Sequence, residues 1–150
     1  MCMSKVILLV EDNPNDETLT VRAFKKAGIN NEIVVARDGE QALNYMFGTG
    51  EYEGRDINML PQVIILDLKL PKVDGLQVLK QIRENPRTKA VPVVILTSSK
   101  EERDLVEAYN LYTNAYVQKP VDFVQFAEAC QHLGMFWLLL NEPCPSDKLA

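Results

Sequence analysis

One carboxylate, Asp67, interrupts the apolar run Val63-Ile64-Ile65-Leu66-Asp67-Leu68. Its five apolar neighbours, three of them β-branched, describe a strand buried on both faces. A carboxylate near the C-terminal end of such a strand is costly unless something there uses or neutralises it. Glu11 and Asp12 follow a second apolar run, Lys5 to Val10; Thr97 follows Val93-Val94-Ile95-Leu96; Lys119 follows Ala115-Tyr116-Val117-Gln118. Gathered at one rim, three carboxylates repel one another, and one would take up a proton unless a cation intervened. Magnesium, or manganese in its place, suits such a rim, because magnesium prefers hard oxygen ligands, keeps several waters and takes one or two carboxylates plus a phosphate oxygen. A hydroxyl and an ammonium on either side of an aspartate make a phosphate-sized site, the lysine supplying charge and the hydroxyl a hydrogen bond. Taken singly, Glu11-Asp12 reads as a helix cap, Thr97 as another and Lys119 as a solvated lysine. Their joint placement at strand ends carries the chemical reading.

The elements that must position these residues alternate in type along the chain. Strand one is Lys5 to Val10. Asn13 caps a helix with Pro14 in its first turn, and the helix runs from Asn15 to Ala27 on a stripe of Leu19, Ala23 and Ala27 with Phe24 beside it, closed by Gly28. Strand two is Glu32 to Ala36, and a short helix spans Glu40 to Phe47. Gly48 to Leu60 carries three glycines and little periodicity and is expected as a loop. Strand three is Val63 to Leu68, and helix three runs from Leu76 to Glu84, ended by Asn85-Pro86. Val91 to Leu96 is strand four. Helix four spans Glu101 to Leu111 with Leu105, Val106, Ala108 and Tyr109 inward. Ala115 to Gln118 is strand five, and a long helix covers Val121 to Leu140, ahead of a frayed tail from Asn141 to Ala150. Five β-α units with right-handed crossovers give an α/β fold, a five-stranded parallel sheet with helices on both faces. The flavodoxin-like strand order 2-1-3-4-5 is the natural one, and it brings Glu11, Asp12 and Asp67 to one edge.

Bulk properties narrow the function classes. With 150 residues the chain suits one domain with a proper core. A net charge of −5 leaves no basic patch to neutralise phosphates, so nucleic acid is not an expected partner. No run is long enough to span a bilayer, and no membrane association is expected. Cys2, Cys130 and Cys144 lack metal-ligand spacing and fit a reducing, cytoplasmic location. His132, the single histidine, falls late in the last helix and away from the acidic rim.

The set Glu11-Asp12, Ile65-Leu66-Asp67-Leu68 with Leu70-Pro71 and Asp74-Gly75, Thr97-Ser98 and Lys119-Pro120 resembles the receiver domain of two-component response regulators over residues 4 to 133. The resemblance implies that Asp67 accepts a phosphoryl group from a phosphohistidine of a sensor histidine kinase. It implies that Asp12, Asp67 and the backbone carbonyl of Lys69 bind the metal, with Glu11 acting through water, and that Thr97 and Lys119 hold the phosphoryl oxygens. Lys119-Pro120 would be a cis peptide. Tyr116 takes the position of the family's switch aromatic, so Thr97 and Tyr116 would report the phosphoryl group to the surface of helix four, strand five and helix five. Such a protein is a signalling phosphoacceptor with intrinsic self-dephosphorylation rather than an enzyme. A phosphatase on a similar fold would want an aspartate where Lys69 stands, and a flavin-binding module would want a neutral phosphate loop in place of Glu11-Asp12-Asn13. An unphosphorylated scaffold or dimerisation module is the remaining alternative.

No effector follows the fifth helix, so the chain is expected as a stand-alone receiver at residues 4–140, with 141–150 a flexible tail. Met135-Phe136-Trp137-Leu138-Leu139-Leu140 is notably apolar for a terminal helix. Phe136, Trp137 and Leu140 are expected at a homodimer interface through helix five. That terminus, the long loop before strand three, and the segments Val6 to Asp12 and Gly50 to Glu53 are similar to cyanobacterial phytochrome response regulators, which implies a phytochrome-like sensor kinase as partner.

Overall fold

The computed structural model describes residues 6–98, 100–108 and 110–119, together with 124, 125 and 128. The chain order is β1 (Val6–Val10), α1 (Pro14–Lys26), β2 (Glu32–Ala36), α2 (Gly39–Phe47), β3 (Val63–Asp67), α3 (Gly75–Glu84), β4 (Val93–Thr97), α4 (Lys100–Ala108) and β5 (Ala115–Gln118). All four neighbouring pairs are parallel, and the sheet order is β2-β1-β3-β4-β5, as the β-α alternation predicts. Strand β3, which carries Asp67, therefore lies at the centre, and every residue in it is buried.

Two apolar clusters, one on each face, clamp the sheet. Leu8, Val10, Ile64, Leu66 and Ile95 face α2 and α3, which contribute Ala42, Met46, Val78, Leu79 and Ile82. Ile7, Leu9, Val63, Ile65 and Leu96 face Ala23 and Phe24 of α1. Alternate residues of each strand feed opposite clusters, as the two-residue period of a strand requires. With neither face exposed, the inner strands β1, β3 and β4 read as continuous hydrophobic runs.

Local chemistry starts and stops the helices. Asn13 Oδ1 accepts from the backbone N–H of Asn15 at 2.8 Å and of Asp16 at 3.2 Å, with Pro14 in the first turn. Asp38 caps α2 and Asp74 caps α3 through their side chains. Gly28 closes α1 at φ +83°, a left-handed conformation that glycine adopts without a steric penalty.

Several expected boundaries and faces are corrected. β4 begins at Val93 rather than Val91, because Pro92 has no N–H to give a ladder. β3 closes at Asp67, and α4 spans Lys100–Ala108 rather than Glu101 to Leu111. Leu19 is 39% exposed; the buried face of α1 is Thr20, Ala23 and Phe24. Thr20 tolerates burial because its hydroxyl donates to the Asp16 carbonyl at 2.8 Å. Leu105 is 48% exposed, while Val106 is buried against the sheet. The segment Gly48 to Leu60 is more ordered than its composition suggests. It holds a 3-10 turn at Gly50–Tyr52 and is pinned by two arginines. Arg55 stacks 3.9 Å above the Tyr45 ring and donates to the carbonyls of Tyr45, Asp56 and Met59. Arg87, from beyond α3, donates to the carbonyls of Ile57 and Met46.

The long helix over Val121 to Leu140, the Lys119-Pro120 bond, the side chains of Ala108 and Tyr109, Phe136, Trp137 and Leu140, the three cysteines, His132, the tail and the domain limits 4–140 lie outside the described residues. No described helix is long and apolar enough to cross a membrane.

Candidate functional site

The sheet register assembles the site. Val10 pairs with Leu66, so Glu11 emerges beside Asp67. Asp67 pairs with Leu96, so Thr97 follows one residue on across the next gap, and Thr97 pairs with Gln118. The backbone N–H of Lys119 donates to the Thr97 carbonyl at 2.9 Å, which fixes the lysine against the hydroxyl-bearing residue. The structure thus brings together Glu11, Asp12, Asp67, Lys69, Thr97 and Lys119 at the C-terminal edge of the strands.

Lys119 is the electrostatic hub. Its Nζ lies 2.7 Å from Asp67 Oδ2, 2.7 Å from Glu11 Oε1 and 3.1 Å from Asp16 Oδ2. The lysine side chain is only 16% exposed, so it is no solvated surface lysine. Burial alone would depress its pKa, but the adjoining carboxylates of Asp67, Glu11 and Asp16 outweigh this and raise it above the ordinary value, which keeps the ammonium charged. Asp67 Oδ1 accepts the backbone N–H of Lys69 at 3.0 Å. Both acceptor oxygens are therefore held, one by the backbone and one by the ammonium.

Glu11 is fully buried, and desolvation first, then the adjoining Asp67 carboxylate, pushes its pKa up to about 7. Its Oε2 accepts from the Asn13 backbone N–H at 3.3 Å, whereas its buried Oε1 meets Lys119 at ion-pair distance with no well-directed hydrogen bond. Such an oxygen, aimed into a cluster of carboxylates, is a fit for a cation. Glu11, Asp12 and Asp67 each offer one carboxylate oxygen, all within 4.8 Å of one another, and these three could hold a metal ion. Asp12 is exposed, which leaves the outer side of the cluster open to water, as a magnesium site requires.

Tyr116 is half-buried on β5. It packs against the α2-α3 face of the core, and the Arg103 guanidinium lies 4.7 Å over its ring. Gly75 brings the start of α3 against the Asp67-Leu68 backbone. Its N–H donates to the Leu68 carbonyl at 3.0 Å, and a Cβ there would lie 2.2 Å from the Asp67 carbonyl oxygen.

Two residues of this neighbourhood escape sequence reasoning. Asp16 sits in the first turn of α1, where an acidic residue is sufficiently explained by the helix dipole. Glu102 sits in the first turn of α4 and receives the backbone N–H of Ser98 at 2.9 Å, the Ser98 hydroxyl at 3.2 Å and the Lys69 ammonium at 3.3 Å. Spacing offers one weak hint for it, a carboxylate four residues after the serine whose N–H it accepts.

Comparison with known proteins agrees with this geometry. The family described as response regulator receiver domain matches residues 7–131. Response regulator Rcp1 of Synechocystis sp. (strain ATCC 27184 / PCC 6803 / Kazusa) is 40% identical over 134 residues, covering 89% of each chain. Its manganese-bound crystal structure aligns at a TM-score of 0.71 over 89% of this chain and 94% of that one. The bacteriophytochrome response regulator RtBRR is 52% identical, with a TM-score of 0.85 over 95% of this chain and 86% of that one. The bacteriophytochrome response regulator AtBRR is 55% identical, with a TM-score of 0.83 over 93% and 99%. A central buried aspartate, an acidic partner cluster, a strand-end threonine and a lysine bridging them thus stand on a chain that belongs to the response regulator receiver domain family.

Proposed function

We propose that the chain is a phosphoacceptor response regulator: Asp67 takes a phosphoryl group from a phosphohistidine on a sensor histidine kinase of the phytochrome type. The observation that carries this is the Lys119 ammonium, 2.7 Å from the acceptor oxygen Oδ2 and backbone-bonded to Thr97. An Asp67 carboxylate oxygen forms the new bond to phosphorus as the phosphorus–nitrogen bond of the donor breaks, and the electron pair departs with the imidazole nitrogen. Phosphoryl transfer asks of the protein mainly positioning and charge. Lys119 supplies a fixed positive charge for the phosphoryl oxygens, and the Lys69 N–H fixes the carboxylate plane. Asp12, Asp67, the Lys69 carbonyl and, through water, Glu11 would hold magnesium or manganese, which when bound neutralises charge on the transferring group. Thr97 would donate its hydroxyl to a phosphoryl oxygen, and Tyr116 would report the change to the surface of α4 and β5. The acyl phosphate is labile, so the mark is temporary and the protein works as a cytoplasmic signal rather than an enzyme. Dimerisation through Phe136, Trp137 and Leu140 belongs to the same reading. The kinship with RtBRR, AtBRR and Rcp1 supports the phytochrome assignment.

The test is phosphorylation of the full chain by acetyl phosphate with magnesium and by a phosphorylated phytochrome-type kinase. Acid-labile phosphate is expected on the wild type and none on Asp67→Asn. Equal labelling of that variant refutes the acceptor assignment, and transfer only from kinases of other sensor classes refutes the phytochrome one.

A further inference from the structure

The turn from β2 into α2 carries no group that the transfer uses, yet it touches both halves of the acidic site. On one side the Ala36 carbonyl accepts the Glu11 backbone N–H at 2.9 Å. On the other, Gly39 opens α2 against Pro71-Lys72-Val73 of the β3–α3 loop. Its nitrogen lies 3.5 Å from the Pro71 carbonyl oxygen, and a Cβ on it would sit 1.7 Å from the Val73 carbonyl oxygen and 2.6 Å from the carbon that bears it. These are backbone atoms, which cannot swing aside as a side chain does. Gly39 does not have the positive φ of Gly28 or Gly48, so space and not conformation excludes a side chain there. Lys72, which faces this glycine, is held at φ +66°, a left-handed conformation uncommon for a residue with a side chain. Its Nζ lies 3.7 Å from Asp38 Oδ2 and 3.9 Å from Glu40 Oε2, the residues on either side of Gly39. The receiving turn is itself fixed: Asp38 Oδ1 accepts the Gln41 backbone N–H at 2.7 Å, and Gln41 Oε1 accepts the Arg37 backbone N–H at 2.9 Å. A strained backbone persists only where its surroundings over-determine it, so the loop is pressed onto α2. The same loop begins with Lys69, whose N–H holds Asp67 Oδ1.

Resting on the phosphoacceptor assignment above, we propose that Gly39 is a positioning residue for the loop that carries the Lys69 carbonyl. It touches neither Asp67 nor a metal ligand. It acts by letting the first turn of α2 close onto Val73, which together with Gly75 holds the loop at two points and leaves Lys69 a single place to stand. A methyl group at position 39 pushes Pro71–Val73 outward, and the Lys69 carbonyl moves with it. The cost then falls on metal affinity, because a ligand that must be drawn back into place binds more weakly than one already there.

The experiment compares wild type, Gly39→Ala and Gly48→Ala as full chains, by titration calorimetry with manganese and by amide deuterium exchange read by mass spectrometry. Gly48→Ala is the control: it lies at the other end of α2, has φ +66°, and its added Cβ would meet Ile57 Cγ2 at 2.6 Å, so it strains the fold away from the loop. Helix propensity favours alanine over glycine, so a deficit in Gly39→Ala is due to Val73. Gly39→Ala binds manganese about tenfold more weakly than wild type, and its residues 69–74 exchange faster without metal. Gly48→Ala melts lower but keeps the wild-type affinity and loop exchange. A merely structural Gly39 would behave as Gly48 does, so an affinity within about twofold of wild type overturns the proposal. Should Gly39→Ala not fold, the wild type carries the test. Manganese then slows exchange of residues 38–42 together with 69–74, and protection of 69–74 alone overturns the coupling. Absence of manganese binding by the wild type overturns the proposal as well. A manganese-loaded wild type that takes no acid-labile phosphate from acetyl phosphate overturns the phosphoacceptor assignment, while the Gly39 comparison still decides the loop.

Discussion

Replacing Lys119 with methionine tests the charge balance of the site in the metal-free protein. The ammonium lies within 2.7 Å of Glu11 and of Asp67 and 3.1 Å from Asp16, and the Glu11 side chain is 0% exposed. Methionine keeps most of the aliphatic stem and deletes the charge. Removing one partner of a buried ion pair costs about 3–5 kcal/mol, because the other charge stays buried and uncompensated. Asp16 is partly exposed, so the lower end applies, about 3 kcal/mol. For a domain of this size that lowers the melting temperature by about 6–12 °C. The pH dependence has a definite sign. Glu11 is pushed up to about 7 from an ordinary 4.5, so between those values the folded protein binds more protons than the unfolded chain. Stability from this group is therefore greatest below 4.5 and falls as pH rises through about 7. Lys119 opposes the rise, so its removal carries the window further up the pH scale. The deficit of Lys119→Met is then largest near about pH 8 in chelator and smaller near about pH 5. Saturating magnesium recovers part of it by binding only the folded state. Thermal unfolding followed by circular dichroism reads all three conditions. A variant that melts within about 2 °C of wild type at about pH 8 without metal refutes the buried three-carboxylate hub.

Two further outcomes follow from the same geometry. Glu11 must lose its proton to serve a cation, so manganese affinity measured by calorimetry rises about tenfold between about pH 6 and about pH 8, and a flat profile removes Glu11 from the cation's surroundings. Gly75→Ala drives a methyl group to 2.2 Å from the Asp67 carbonyl, a backbone atom with no room to yield. It lowers unfolding free energy by about 2 kcal/mol or more in denaturant titration, and a loss below about 0.5 kcal/mol shows that α3 does not press on β3.

The parts of the site that depend on backbone register were legible early. Strands buried on both faces read as unbroken apolar runs, so β1, β3 and β4 declare themselves, and a β-α repeat leaves little choice of order. Once the order is set, Glu11, Asp67, Thr97 and Lys119 fall at one edge because each ends, or directly follows, a strand. The parts that depend on a side chain reaching across a gap were not legible. Asp16 finds Lys119 because α1 leans its first turn over the edge, and no spacing records that angle. Glu102 is one of two adjacent glutamates, and only the rotation of α4 decides which of them meets Ser98 and Lys69. Leu19 and Leu105 mislead in the opposite sense. Hydrophobicity suggests burial, but Thr20 and Val106 are the residues turned toward the sheet. The arginines that pin Gly48 to Leu60 bind carbonyls, which every residue has, so composition carries no trace of the pairing.

Placing Lys119 on the last strand has a consequence for biosynthesis. A chain made from its N-terminus exposes Glu11, Asp16 and Asp67 to folding before their lysine leaves the ribosome. A nascent intermediate of β1 to β4 thus carries an acidic cluster with no resident cation, and it closes only when Ala115–Gln118 zips onto β4 and the Lys119 N–H reaches Thr97. During that interval cations from the surrounding solution can supply the missing counter-charge. A divalent ion held by Glu11, Asp12 and Asp67 would then also act as a folding aid, and magnesium starvation during synthesis is expected to lower the yield of folded chain, measured as soluble protein.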